Sequence, residues 1–249
     1  MYPKDLIALP LKLLPDRLTV ERYVEVFTDI KTDDASYIFR IALGNSLIIA
    51  VFVTICSLIV GSLAAYGFAR LEFRMKKTLM MLTLFTYMIP CVALVLPMYM
   101  MFSKLHLLDK KTTLVILYLS FIIPFIIWVM QSFFGSISKS FEEAAEIDGA
   151  SRFQTLIYVF MPIARPGAIA TGILAFLMSW DEFFYSLVFT SSLNAKTVPV
   201  AISEFNGKFT IDYGMISVAG VLASLIPVLI TLIFQKYIVI GMTSGGVKE

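Results

Sequence analysis

The chain has 249 residues, of which 59% are hydrophobic and 15% charged, where a soluble domain has about 45–50% and about 25%; an ordinary water-soluble globule is excluded. A net charge of +2 leaves no basic footprint for a phosphate backbone, which excludes nucleic acid as a partner. Cys56 and Cys91 lie within apolar runs and read as small buried residues, and lone His106, beside Asp109, Lys110 and Lys111, has no second ligand, so neither a disulfide, a metal site nor His-based catalysis is indicated.

Residues 1–40 are polar, with six Lys/Arg and seven Asp/Glu, and show no secretory signal. Uncharged stretches follow at 41–69, 78–103, 112–138, 166–180 and 213–235. Four of them exceed the roughly 20 residues that a spanning helix needs. The short one continues past Asp181 and Glu182, because a carboxylate is tolerated near a span's end but not at mid-bilayer. The expected fold is an all-α membrane protein with five transmembrane helices at about 41–69, 78–102, 113–134, 166–187 and 213–235.

Small residues recur every four positions at Ser57, Gly61 and Ala65, and at Gly167, Thr171, Ala175 and Ser179, a pattern that lets helices pack closely within the fold. Prolines interrupt four spans at Pro90, Pro97, Pro124 and Pro227, and Pro166 opens another. Broken spans fit a cavity-lining transporter.

Loops 70–77, 139–165 and the tail from 236 carry four, three and two basic residues, against three and two in 104–111 and 181–212. The positive-inside rule puts the first group and the C-terminus in the cytoplasm, and 1–40 with 188–212 outside. A leading segment with six basic residues and no export signal should resist that placement. Either a first helix precedes Met1 in the natural gene, or topology is set late in the chain.

The loop 138–165 reads as a helix-turn-helix. Ser140 with Glu143, and Ser151 with Gln154, have capping-box spacing, and Asp148-Gly149 supplies the turn, with Gly149 free to be left-handed. Phe141, Ala144 and Ala145 form a flat face among Glu142, Glu143 and Glu146. In the second helix Phe153, Leu156, Ile157, Phe160 and Met161 form an apolar stripe that needs burial. The acidic character disfavours a bed of anionic headgroups and favours a protein partner.

The segment EEAAEIDGAS (142–151) with Pro162 resembles the signature loop of permease subunits of binding-protein-dependent ABC importers. PDRLTVERY (15–23), NSLIIA (45–50), AAYGFARLEF (64–73), WDEFFYSL (180–187) and GMTSGGVKE (241–249) are similar to recurring segments of the carbohydrate class, specifically the shorter maltose-transporter-type subunit. The chain departs from the pattern at Ser138 (commonly Pro), Asp181 (commonly Asn) and Glu249 (usually Gly), and it has five spans where the family usually has six.

The resemblance implies a non-catalytic pore subunit in a bacterial or archaeal cytoplasmic membrane, translocating a sugar or oligosaccharide. It implies three kinds of partner: a second permease subunit in a heterodimer, two cytosolic ATPase subunits that hold ATP and Mg, and an extracytoplasmic solute-binding protein. No cofactor is expected on this chain, which lacks a phosphate-cradling Gly-Lys-Ser/Thr loop. The coupling residues implied are Glu143, Ala144, Ala145, Asp148, Gly149, Ala150 and Pro162, with Glu143 either pairing with an ATPase cation or serving its cap. Trp180, Asp181 and Phe184 are candidate translocation-path or outer-mouth residues. Three other functions are weighed: a permease for a polyamine or other small solute, a self-contained secondary transporter, and a membrane enzyme. The spans offer the second no ionisable groups away from their ends, and the third no catalytic cluster.

Overall fold

The computed structural model describes residues 19–28, 35–205 and 213–244, with side chains as far as 238. The expectations for residues 1–18, 29–34, 206–212 and 245–249 lie outside the described residues. Regular structure among the described residues is helical: α1 (Glu21–Thr28), α2 (Ala35–Arg70), α3 (Lys76–Met88), α4 (Cys91–Lys104), α5 (Lys111–Ser136), α6 (Lys139–Ile147), α7 (Arg152–Thr155), a π-helical turn (Leu156–Phe160), α8 (Met161–Ile163), α9 (Arg165–Trp180), α10 (Phe184–Phe189), α11 (Val198–Glu204) and α12 (Tyr213–Ser244).

Helices satisfy their own backbone, as lipid demands. Three are long and apolar enough to cross a membrane alone: α2, α5 and Tyr213–Ile238 of α12. Two pairs qualify only when joined, α3 with α4 and Arg152–Ile163 with α9, and these are bent by 89° and 84°. The five expected spans thus stand as three continuous helices and two bent pairs.

Several boundaries differ from expectation. The first span begins at Ala35, six residues before the uncharged run. The second is broken: Ile89 is extended at φ −68°, ψ 123°, because the Pro90 ring disfavours the helical region for the residue before it. Pro97, Pro124 and Pro227 do not break their helices but lie inside α4, α5 and α12. The fourth span ends at Trp180, not Leu187. There the Glu182 carboxylate accepts hydrogen bonds from the amides of Tyr185 (2.8 Å) and Ser186 (3.2 Å), so the acidic pair begins a new helix, α10, instead of continuing α9.

The described residues form two compact units, the first from those within Met1–Ile49, Tyr99–Leu114 and Asp181–Leu229 and the second from those within Ala50–Met98, Val115–Trp180 and Ile230–Glu249. In the first unit Val26 of α1 packs with Phe39 and Ala42 of α2, Val198 and Ala201 of α11, and Met215 and Val218 of α12. The segment 190–198 is pinned by polar side chains. The Asp109 carboxylate accepts from the Ser191 and Ser192 amides, each at 3.0 Å, and from the Ser192 hydroxyl. Asn45 Nδ2 donates to the Leu193 (2.9 Å) and Lys196 (3.0 Å) carbonyls, and Ser46 Oγ accepts from the Val198 amide at 2.9 Å.

In the second unit both small-residue stripes are internal seams: Ser57, Ala65, Thr171, Ala175 and Ser179 are all buried. A Cβ on Gly61 would fall 2.5 Å from Ile126 Cγ2, and one on Gly167 2.7 Å from the Phe133 ring. These glycines let α2 and α9 each approach α5 more closely than any side chain allows. Cys56 and Cys91 are free thiols and half-buried, not fully enclosed as expected.

Candidate coupling site

The segment 138–163 is ordered by its own backbone chemistry. Helix α6 starts two residues earlier than the Ser140–Glu143 spacing predicted. Ser138, extended at ψ 142°, is the N-cap, and its hydroxyl accepts from the Ser140 amide at 3.3 Å. Ser140 is therefore a helical residue, and Glu143, the fifth residue of α6, lies beyond the N3 position from which a capping-box side chain reaches back. Either serine suits a cap by type; backbone ψ decides between them. Ser138 thus fills the place where the resembled family commonly has Pro.

The other end matches expectation. Gly149 has φ +78°, its amide donates to the Glu146 carbonyl at 3.0 Å, and the Ala150 amide reaches back to Ala145 at 2.9 Å. This pair of bonds is the Schellman pattern, in which the residue after the cap must be left-handed and glycine takes that conformation without strain. Two residues on, Ser151 and Gln154 form the expected capping box, with Ser151 N to Gln154 Oε1 at 2.8 Å and Gln154 N to Ser151 Oγ at 3.4 Å. No flexible residue separates the stop of α6 from the start of α7.

The second helix is not the single α-helix expected. Its four-residue α7 passes into the π-helical turn and then α8, with Pro162 in the first turn of α8. A π turn rotates the following side chains relative to an α-helix, and the predicted stripe divides: Leu156 and Phe160 are buried, whereas Phe153 and Ile157 are exposed. On α6 only Ala145 is buried; Phe141, Glu143, Ala144, Glu146 and Asp148 are exposed, and Ile147 at the tip is 87% exposed. The outward surface therefore mixes apolar side chains (Phe141, Ile147, Phe153) with acids, a composition suited to a protein partner.

Arg70, the last residue of α2, was not singled out from sequence. Its side chain is 5% exposed. Nη2 donates to the carbonyls of Phe134 (2.6 Å) and Ile137, Nη1 lies 3.9 Å from Glu142 Oε2, and the guanidinium sits 4.7 Å above the Phe160 ring. Tyr66 joins Phe134 and Phe160 in an edge-to-face cluster, with centroids 5.2–6.2 Å apart.

The candidate path residues are less alike than their adjacency suggests. Trp180 is buried, stacked on Phe176 at 5.8 Å in the second unit. Asp181 is exposed and Phe184 half-buried in the first unit, where Tyr185 is buried beside Phe189. Trp180 and Tyr185 therefore present no open stacking platform. Among the described residues no three His, Cys, Asp or Glu side chains gather to hold a metal.

A polytopic helical chain that spends its surface chemistry on a rigid, exposed loop has the makings of a transport permease whose energy comes from another subunit. The chain belongs to the family described as the binding-protein-dependent transport system inner membrane component, whose model matches residues 57–244. It is 34% identical to the trehalose/maltose transport system permease protein MalG of Thermococcus litoralis, over 99% of this chain and 87% of that protein. It is 35% identical to the trehalose transport system permease protein SugB of Mycobacterium tuberculosis, over 95% and 85%. A crystal structure of a bacterial ABC transporter involved in the import of the acidic polysaccharide alginate superposes with a TM-score of 0.73 at 28% identity, covering 90% of this chain and 81% of that one. The protein is accordingly a non-catalytic, multi-pass membrane permease subunit of an ABC transporter.

Proposed function

We propose that this subunit imports a sugar or oligosaccharide handed over by an extracytoplasmic binding protein, paired with a second permease subunit and driven by two cytosolic ATPase subunits that grip residues 138–165. The observation that carries this reading is the coupling element itself: the Schellman stop at Gly149 leads directly into the Ser151–Gln154 box, so the exposed Glu143, Ala144 and Asp148 are presented by one rigid body. ATPase closure would then move α6 to α8 together, and the Ala150 and Pro162 positions would carry that motion toward α9.

Orientation follows from charge. Loop 70–77, the coupling element and the C-terminus face the cytoplasm, and the contact of Arg70 with Glu142 supports a shared side for the first two. Residues 1–40 and 188–212 face outward; the common core of Val26, Val198 and Ala201 supports their shared side. The outer loop contacts the binding protein through exposed positions such as Asn194, since Val198, Val200 and Phe205 are buried within the unit. Of the candidate path residues, Asp181 and Phe184 of the first unit keep the exposed surface with which the solute is met.

The permeases of the named relatives support sugar over a polyamine as cargo. Reconstituting the complete complex in liposomes and measuring ATP-dependent uptake of radiolabelled trehalose, maltose, an oligosaccharide and a polyamine tests it. Uptake of a saccharide is expected; uptake of the polyamine alone would overturn the solute class.

A further inference from the structure

We infer that Arg70 is a positioning residue of the coupling site, a side chain through which displacement of α6 is passed to α2 and α5; this rests on the reading of 138–165 as the ATPase-docking element. The argument starts at the end of α5. The last carbonyls of a helix lack partners within it, and they carry the negative end of its dipole. In this chain two carbonyls at that corner, Phe134 in the last turn and Ile137 in the link to α6, point at one guanidinium. Arg70 thereby takes the place of a local C-cap, and fixes the corner from which α6 departs.

The same cation meets α6 and the π turn. Glu142 is the acid of the EEAAEIDGAS segment that turns inward, 21% exposed and 3.9 Å from Nη1, while its neighbour Glu143 faces out. The ring of Phe160 covers the guanidinium face at 4.7 Å, a contact that only a planar or compact cation makes favourably. Four elements therefore converge on a single group: α2 by covalent attachment, α5 by carbonyls, α6 by a carboxylate, and the turn by a ring. Each is drawn to the positive charge, so none can shift without loosening the rest. Arg70 Nε is buried without an acceptor, and the Glu142 contact is longer than a hydrogen bond. The α6 contact is thus the longest of the polar contacts that Arg70 makes, and it is the one that docking would load.

A lysine keeps the charge and can serve the two carbonyls, which share the one nitrogen Nη2, but loses the planar group that turns Nη1 to Glu142 and its face to Phe160 at the same time; glutamine loses the charge. The test uses the complete reconstituted complex with ATPases and binding protein, comparing Arg70→Gln, Arg70→Lys, Glu142→Gln and the Arg70→Lys/Glu142→Gln double variant for assembly, receptor-stimulated ATPase rate and solute moved per ATP. Arg70→Gln is expected to lower solute moved per ATP at least tenfold, with hydrolysis persisting; Arg70→Lys should recover a third or more of the ratio. Glu142→Gln should lower it about threefold, with assembly retained, and the double variant should lose less than the product of the single losses, since both act through one contact. That non-additivity keeps the test decisive if Arg70→Gln fails to assemble. Wild-type solute per ATP in Arg70→Gln, or strictly multiplicative losses in the cycle, would overturn the inference. Failure of the unaltered complex to couple hydrolysis to uptake would instead overturn the docking reading on which it rests.

Discussion

The two units fix their loops in opposite ways. In the first unit, segment 190–198 is held by many separate polar contacts, from Asp109, Asn45 and Ser46, with Ser186 bonded to Thr197 at 2.7 Å and Lys196 paired with Glu204 at 2.6 Å. In the second unit the coupling element is shaped by its own caps and anchored by one buried cation. Distributed contacts degrade gradually, because neighbouring bonds retain the geometry when one is lost. A concentrated anchor and a single left-handed residue fail at a point. Tolerance to substitution should therefore differ sharply between the two, and substitutions at five positions probe that contrast.

The largest stability effect is expected where the second unit has no spare volume. Gly61→Ala places a methyl 2.5–2.9 Å from Ile126, an overpacking that costs about 1–3 kcal/mol. Gly220→Ala, with nothing within 4 Å, is the matched control. Thermal unfolding of purified protein in detergent should show a lowered midpoint for the first and none for the second. Equal midpoints would mean that the α2–α5 seam repacks freely.

Gly149→Val comes next. A Cβ there meets nothing within 4 Å, so the cost is backbone strain alone, about 1–2 kcal/mol for a left-handed residue with a side chain. The spans should stay folded, while solute moved per ATP falls or the ATPase binds more weakly. Amide exchange should rise at 145–151 and remain unchanged in α2 and α5.

In the first unit, Asn45→Ala removes two hydrogen bonds to Leu193 and Lys196, a loss of about 1–2 kcal/mol locally, yet the Asp109 and Ser46 contacts remain. Faster proteolysis confined to 190–197, with transport within about twofold of the parent, is the expected outcome. Asp109 adds a pH signature. Burial pushes its carboxyl up, but hydrogen bonds from the Ser192 hydroxyl and the Ser191 and Ser192 amides, with the Lys196 ammonium nearby, outweigh burial and hold it below the usual carboxylate range. A depressed carboxylate stabilises the folded loop above its unfolded value of about 3.9 and ceases to do so as the pH falls through the folded value. Loop protection should thus be flat at neutral pH and fall only in strong acid, and Asp109→Asn should abolish that fall.

The smallest stability change is expected at Glu143. Because Ser138 is the cap, Glu143→Gln should leave α6 intact, and any loss of coupling then reports its outward charge. Glu143→Lys should be worse by charge reversal alone. Equal, undiminished coupling in both would remove Glu143 from the docking surface.

What sequence made legible was local. Gly149, the Ser151–Gln154 box and the apolar runs of α2, α5 and α12 each carry their cause within a few residues, and each has its predicted conformation. What escaped was set by tertiary context. Pro90 breaks a helix whereas Pro97, Pro124 and Pro227 ride inside theirs, since neighbouring elements decide whether a missing amide is tolerated. Ser138 and Ser140 differ only in backbone angle. The choice between Glu142 and Glu143 as the inward acid depends on how α6 is rotated, and Arg70 finds its carbonyl partners 64 and 67 residues further along the chain. In the sequence it looks like one more basic residue of the positive loop. Family resemblance located the coupling segment because its spacing is a fixed motif; the anchor beneath it has no such local signature.

The central claim is that the exposed face of α6 and the turn after it meets a cytosolic ATPase subunit. Ile147, the most exposed apolar residue of that face at 87%, offers the most direct probe. In a complex whose Cys56 and Cys91 have been replaced by serine, Ile147→Cys should cross-link to the ATPase subunit with a short bifunctional thiol reagent and react with an impermeant maleimide only in inside-out vesicles. Ser191→Cys should do neither. Labelling of Ile147→Cys from the outside, or a cross-link to the binding protein in place of the ATPase, would contradict both the orientation and the coupling role.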